Sequence, residues 1–193
     1  MLSGNLEYLM SSLPDLMFDN SETYQKEVSK LFKTYNSADE ASQDLVLMLH
    51  AEAEKFLSTK EFNDLKALSL KAIHQERFQN NSQHVIASFS RFNHQMKREV
   101  QRFREHRKNE DLNANKLNFD ILPELSNNPL KAEEQLLKLQ WDKLEELSIG
   151  HYSDLAALFI YKLKLELLVR WWSFNEEVGL NIFKQTLKME VYG

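Results

Sequence analysis

The 193-residue chain is 42% hydrophobic and carries a net charge of −5, with only four glycines, three prolines and no cysteine. All-β proteins need frequent turn residues and α/β folds need glycine-rich connections, so this composition predicts an all-α protein with no significant sheet. Without cysteine there is no disulfide, thiolate metal site or cysteine nucleophile, which suits a reducing cytoplasm, and the mild charge alone indicates no nucleic-acid partner.

Hydrophobic periodicity predicts helices along nearly the whole chain. The predicted helices cover residues 2–13, 22–35, 41–57, 63–78, 83–107, 129–147 and 154–172, and a last short helix ends near 189. Asn128 is expected to cap the helix that starts at Pro129, and Gly150 is expected to end it. Ser153 or Asp154 is expected to start the next helix. These elements predict an elongated multi-helix bundle.

The stretch 109–127 is polar and is the predicted hinge of the chain. It would join two packed helical lobes, 1–110 and 128–193, within one all-helical domain. The N-terminus lacks the basic region of a secretory signal, and Glu7 interrupts its apolar run. Since no stretch of about 18 residues is free of charge, no membrane-spanning helix is predicted.

A basic segment, Ser90–Lys108, stands out in this acidic chain. It has seven basic and two acidic residues, a net charge of +5, so the rest of the chain carries −10. Such a face indicates a docking surface for nucleic acid, an acidic partner helix or an acidic patch of the chain itself. A solvated helix face with local acidic neighbours explains the same pattern. The basic residues are Arg91, Lys97, Arg98, Arg102, Arg104, Arg107 and Lys108.

Two patterns in the sequence contain residue types that could form a metal site or a hydrolase active site, but neither has the spacing that such a site needs. His50 and Glu54 can share a helix face, but a helix-bundle di-metal centre needs Glu-x-x-His pairs, and the sequence contains none. The run from His151 to Asp154 contains the residue types of a hydrolase, yet it lacks the Gly-x-Ser-x-Gly nucleophile elbow. Helix capping explains the run more simply. We therefore predict no catalytic residue, metal, cofactor or small-molecule substrate.

The predicted helix 154–172 is apolar nearly all round, which is typical of a central core helix or a membrane segment. Lys162, Glu166 and Arg170 follow one another at four-residue spacing, which favours a core helix with one narrow exposed strip. Trp171 and Trp172 are adjacent and point about 100° apart. One is expected in the core, and Trp172 near the surface as a partner anchor.

The second half of the chain, 127–183, resembles a known family. The matching elements are Asn128-Pro129-Leu130 with Ala132-Glu133, Trp141, Leu144-Glu145-Glu146-Leu147, His151-Tyr152, Lys164-Leu165 with Arg170-Trp171, and Phe174-Asn175-Glu176-Glu177 with Gly179. They resemble a bacterial family of unassigned function whose genes sit with those of V-type ATPase subunits. That family is similar to the C-type subunit of the ATPase, which corresponds to the eukaryotic d subunit. The opening "EYLMSSLPDL" and the basic segment fit the same family.

The resemblance implies a non-catalytic cytoplasmic adaptor of a V-type ATPase, peripheral to the membrane. Such an adaptor couples the central stalk to the membrane ring or assists assembly, and the basic segment would set its register with a partner protein. His151 and Tyr152 belong to the resemblance, and we expect a buried hydrogen-bonded pair there that fixes the angle between two helices. The alternative is a helical binding module that uses residues 90–108 for nucleic acid or another anionic partner.

Overall fold

The computed structural model describes residues 6–35, 44–108 and 119–174, and these ranges are all-α. The predicted fold class, an all-α multi-helix bundle without a sheet, is confirmed for them. The predicted last helix and Gly179 lie outside the described residues. The helices are α1 (Leu6–Ser12), α2 (Glu22–Tyr35), α3 (Leu45–Glu54), α4 (Thr59–Ala67), α5 (Glu76–Gln79), α6 (His84–Lys108), α7 (Pro129–Ser148) and α8 (Leu155–Trp172).

Helix α8 is the centre of the bundle. Twelve of its 18 residues are buried, as its nearly continuous apolar surface predicts. It packs against α1, α3, α6 and α7. The main core therefore joins side chains from both predicted lobes, for example Leu9, Phe89 and Leu163. The described helices share this core.

The α7–α8 hairpin forms because the sequence supplies its caps. The Asn128 side chain accepts hydrogen bonds from the first backbone N–H groups of α7, and Pro129 is the first helical residue. Gly150 has a φ of +87°, the left-handed conformation that ends many helices. Asp154 caps α8 by accepting from the Ala157 N–H at 2.8 Å. The predicted caps are confirmed, with Asp154 rather than Ser153 starting α8.

The chain does not form the single predicted helix at 63–78. It ends α4 at Ala67 and resumes only at Glu76. Lys162 of α8 donates to the Leu65 and Leu68 carbonyls, and Glu166 accepts from the Leu70 N–H at 2.8 Å. These contacts satisfy backbone groups that a continuous helix would have paired internally. The prediction was wrong because the residues that end α4 lie about a hundred positions away.

Part of the predicted hinge packs against α6. The Glu99 carboxylate accepts hydrogen bonds from the backbone N–H groups of residues 120, 121 and 122. Leu122 and Leu125 are buried in a second core cluster with Met96 of α6. Residues 120–122 are therefore held by α6, while Gln135 of α7 binds the Ser126 N–H and the Glu124 carbonyl. Residues 109–118 lie outside the described ranges.

Candidate functional site

The basic residues of α6 fall on two sides of the helix. Lys97 and Arg104 are seven residues apart, so they share one face. Arg98 lies seven residues after Arg91 and four before Arg102, which places these three on another face. Both sets are exposed. The predicted single basic face is thus divided into two strips.

The strip with Lys97 and Arg104 borders a groove of about 670 Å³. Residues of α6, α7, α8 and the α4–α5 connection line it. Its floor includes Met96, Val100 and Leu136, each 8% exposed or less. These three side chains belong to the second core cluster, so the floor is part of the packed interior. Its charged lining consists of Lys71, Lys97, Arg104 and Arg170 with Glu105 and Glu133. We call this site the basic groove.

The charges of the basic groove interact with one another. Partial burial, followed by the positive charge of Arg170, lowers the pKa of Lys97. Lys97 Nζ lies 3.0 Å from His74 Nδ1, and burial followed by the Lys97 charge lowers the pKa of His74. Arg170 donates to the Glu133 carboxylate across α7 and α8. Four basic and two acidic side chains leave the lining with a net charge of +2, and an acidic ligand would relieve the repulsion among its basic groups.

The other strip of α6 is engaged differently. Arg91 donates to the Gln79 carbonyl at 3.0 Å, and the Arg102 guanidinium lies 5.9 Å from the centre of the Phe119 ring. Arg98 is exposed and is not part of the groove lining. The side chains of Arg107 and Lys108 lie outside the described part of the chain. Of the predicted partner-binding residues, Lys97 and Arg104 are those brought into the groove.

The α7–α8 corner differs from the expected buried pair. His151 Nδ1 lies 2.6 Å from Asp154 Oδ2, next to the helix cap, while Tyr152 is 79% exposed. Ser153 is also exposed. The expectation of a buried His151–Tyr152 pair was wrong, because His151 pairs with the Asp154 carboxylate that caps α8. The exposure of Ile149, which is 78% exposed, was not predicted. An apolar side chain is expected in the core, but Ile149 is the C-cap residue of α7 and lies at the surface.

The aromatic residues of the hairpin pack inward. Trp141 is buried, and Trp171 is buried and stacks on Phe18 with ring centres 4.0 Å apart. Trp172 is half-buried, and its indole N–H donates to the Asp19 carbonyl at 2.9 Å. The prediction that one tryptophan lies in the core and the other nearer the surface is confirmed. The indole N–H of Trp172 binds the N-terminal segment, and its role as a partner anchor stays a prediction.

A buried charge lies on the side of α8 that faces away from solvent. Lys162 is only 1% exposed, so its predicted position on an exposed strip was wrong. Burial lowers its pKa, partly offset by the carboxylate of Glu166, whose Oε1 lies 3.4 Å from Nζ. Burial, then the charges of Lys162 and Lys66, lower the pKa of His50 to about 4. His50 Nε2 is buried without a hydrogen-bond partner among the described residues.

Comparison with family models identifies residues 51–191 as a match to a family described as "Protein of unknown function (DUF2764)". The chain belongs to the DUF2764 family. Comparisons with curated proteins and with solved structures gave no match. The DUF2764 match covers every described residue that lines the basic groove, together with the α7–α8 corner. It does not include α1 and α2.

Neither a metal cluster nor a membrane-spanning helix is present in the described ranges. Within residues 6–35, 44–108 and 119–174, no group of three or more acidic or histidine side chains is placed to hold a metal ion. None of the helices in those ranges is long and apolar enough to cross a membrane. The candidate functional site of this DUF2764 protein is the basic groove, because it brings basic side chains of α6, α8 and the α4–α5 connection together.

Proposed function

We propose that this DUF2764 protein is a non-catalytic adaptor of a V-type ATPase, which couples the central stalk to the membrane ring or assists assembly. The resemblance of residues 127–183 to the ATPase-associated family supports the choice of complex. The observation that carries the adaptor role is the basic groove, which gathers four basic side chains in a chain of net charge −5. Electrostatic complementarity of this kind sets partner choice and register.

The packing of the fold supports a mechanical role. An adaptor that transmits torque needs helices that do not shift against one another under load. Helix α8 is buried along most of its length, and α7 is tied to it by the Arg170–Glu133 and Lys164–Glu145 ion pairs. Close-packed interiors have low compressibility and transmit strain. In this proposal the protein is cytoplasmic and reaches the membrane through the ATPase.

Co-purification tests the proposal. The full chain, tagged in its native host, should be recovered with intact V-type ATPase from gently solubilised membranes. Lys97→Glu with Arg104→Glu should reduce that recovery, whereas Arg98→Glu, which reverses a charge outside the groove, should not. Intact complexes that lack the chain would contradict the proposal. A gene position within a V-type ATPase cluster would support it independently.

The same protein preparation distinguishes the nucleic-acid alternative. A chain that binds duplex DNA through several phosphates should bind at low salt and lose affinity steeply as salt rises. The adaptor proposal predicts no such binding, because Arg91 and Arg102 are engaged within the protein rather than joined with Lys97 and Arg104 in one face. Strong, salt-sensitive duplex binding would favour the alternative.

A further inference from the structure

We infer that the basic groove receives an acidic helix of a partner protein, with its carboxylates directed at Lys97 and Arg104. The inference rests on the proposed adaptor role, but not on the identity of the ATPase as the partner. Three features of the groove support it: the spacing of its basic residues, the character of its floor and the arrangement of the surrounding helices.

The spacing of the basic residues matches a helix. Lys97 and Arg104 are separated by seven residues, so they lie about 10 Å apart along one face of α6. A partner helix presents side chains at positions i and i+7 with the same separation on its own face. Two carboxylates spaced in this way would meet the two basic residues together. Lys71 adds positive charge from the α4–α5 connection, whereas Arg170 of α8 is paired with Glu133 in the lining.

The floor of the groove determines how the partner is recognised. Because Met96, Val100 and Leu136 are already nearly buried, a partner gains little by covering them. The methylene stems of Lys97 and Arg104 offer further apolar surface while their charged groups stay in water. Charge at the rim therefore contributes more than the floor to recognition. Binding should accordingly weaken as salt is raised.

A helical protein segment fits these features better than the other anionic ligands. The groove runs beside α6 and is lined by α6, α7 and α8, so a further helix would lie along existing helices. Glu105 and Glu133 in the lining would repel a continuous phosphate backbone, whereas a helix can place lysine, arginine or neutral residues opposite them. The acidic ligand is thus expected to carry charge at defined positions.

Designed peptides test the inference with the full chain. The probe is a labelled helical peptide of about 20 residues with glutamates at i, i+3 and i+7 on one face. Its control has the same composition with the glutamates spread around the helix. Binding of each peptide is measured by fluorescence anisotropy at about 0.15 M salt. At this salt concentration the Debye length is about 8 Å, so attraction between distant charges is screened. We expect the patterned peptide to bind at least about fivefold more tightly than the control.

Charge reversal locates the binding site. Lys97→Glu and Arg104→Glu should each weaken binding of the patterned peptide by about fivefold or more. The matched variant Arg98→Glu should change it by less than about twofold. A peptide with lysines in place of the glutamates should bind the Lys97→Glu/Arg104→Glu protein more tightly than the unmodified protein. Circular dichroism of each variant should show unchanged helix content.

Several results would overturn the inference. These are no binding of the patterned peptide, equal binding of patterned and control peptides, or an equal effect of Arg98→Glu and Lys97→Glu. Competition by duplex DNA for the same residues would also overturn it. None of these results removes the adaptor proposal, which depends on recovery with the ATPase. Conversely, if the protein is absent from the ATPase but binds the patterned peptide as expected, the groove proposal stands and the choice of the V-type ATPase as its complex is wrong.

Discussion

Two lysines show how differently this fold uses the same side chain. Lys162 is buried beneath α4, where its Nζ donates to two backbone carbonyls and faces Glu166. Lys97 lies at the rim of the basic groove, exposed and beside His74. Burial is the first cause of a lowered pKa in both, but the second influence differs. A carboxylate supports the charge of Lys162, whereas Arg170 opposes the charge of Lys97.

Some charged side chains of this protein stabilise its fold, whereas others are exposed and available to a partner. Removing a buried charge strongly destabilises a protein, because the groups that were paired with that charge stay buried without a partner. An exposed charge in a like-charged group contributes little to stability and is available to a partner. We therefore expect stability and binding to depend on different basic residues, which variants can test.

The largest effect is expected from Lys162→Met, which keeps the length of the side chain but removes its donors. The Leu65 and Leu68 carbonyls and the Glu166 carboxylate would lose a partner. We expect the free energy of unfolding to fall by about 3 kcal/mol, measured by urea denaturation. Lys97→Met is the matched control and should change it by no more than about 0.5 kcal/mol. Equal effects of the two variants would mean that the buried lysine stabilises the fold no more than the exposed one.

Glu99→Ala should have the next largest effect. Burial alone would raise the pKa of Glu99, but hydrogen bonds from the Leu122 N–H, the Gln95 amide and the N–H groups of residues 121 and 120 together lower it. Without this acceptor, residues 119–122 lose their attachment to α6. We expect a loss of about 2 kcal/mol in the free energy of unfolding. Glu105→Ala, on the exposed face of α6, serves as the control, and a comparable loss there would contradict the assignment.

His50 gives a pH-dependent effect of intermediate size. Its pKa is about 4 in the folded protein, against an ordinary value of 6.5. Between these values the unfolded chain binds the proton and the folded chain does not, so the free energy of unfolding decreases as pH falls from about 6.5 towards 4. We expect a loss of about 1 kcal/mol at pH 5 relative to pH 7, reduced by partial solvent screening.

His50→Gln isolates that contribution. The difference in unfolding free energy between the variant and the unmodified protein should change by about 1 kcal/mol between pH 7 and pH 5. Urea denaturation at each pH measures it, and other titrating groups cancel in the difference. A pH-independent difference would mean that the histidine takes up its proton equally in both states.

The smallest effect on stability is expected at the α7–α8 corner. Because Tyr152 is 79% exposed, Tyr152→Ser should leave the free energy of unfolding within about 0.5 kcal/mol of the unmodified protein. Thermal denaturation measures this directly. A larger loss would show that the tyrosine packs in the folded protein, as the sequence led us to expect.

The sequence predicted those parts of the fold that depend on local interactions. The caps at Asn128 and Asp154 and the end of α7 just before Gly150 follow from residues within a few positions of each helix end. The core position of α8 follows from its apolar surface. These features need no knowledge of distant contacts.

The missed features depend on contacts between distant residues. The break after α4 requires Lys162 and Glu166, which lie on another helix. The division of the α6 charges into two strips follows from helical spacing, but the groove beside one strip exists only because α7 and α8 pack there. Spacing alone could have separated Lys97 and Arg104 from Arg98, but it could not have shown which strip borders a groove.

The N-terminal segment has a consequence for where this protein can be divided. Tyr161 donates to the Pro14 carbonyl at 2.8 Å, Trp172 to the Asp19 carbonyl, and Phe18 stacks on Trp171. All three contacts reach residues that precede the family match, which begins at residue 51. A chain trimmed to the matched region would expose two tryptophans of the central helix and leave a buried tyrosine without its acceptor. The core of this protein therefore extends beyond the region that the family model matches.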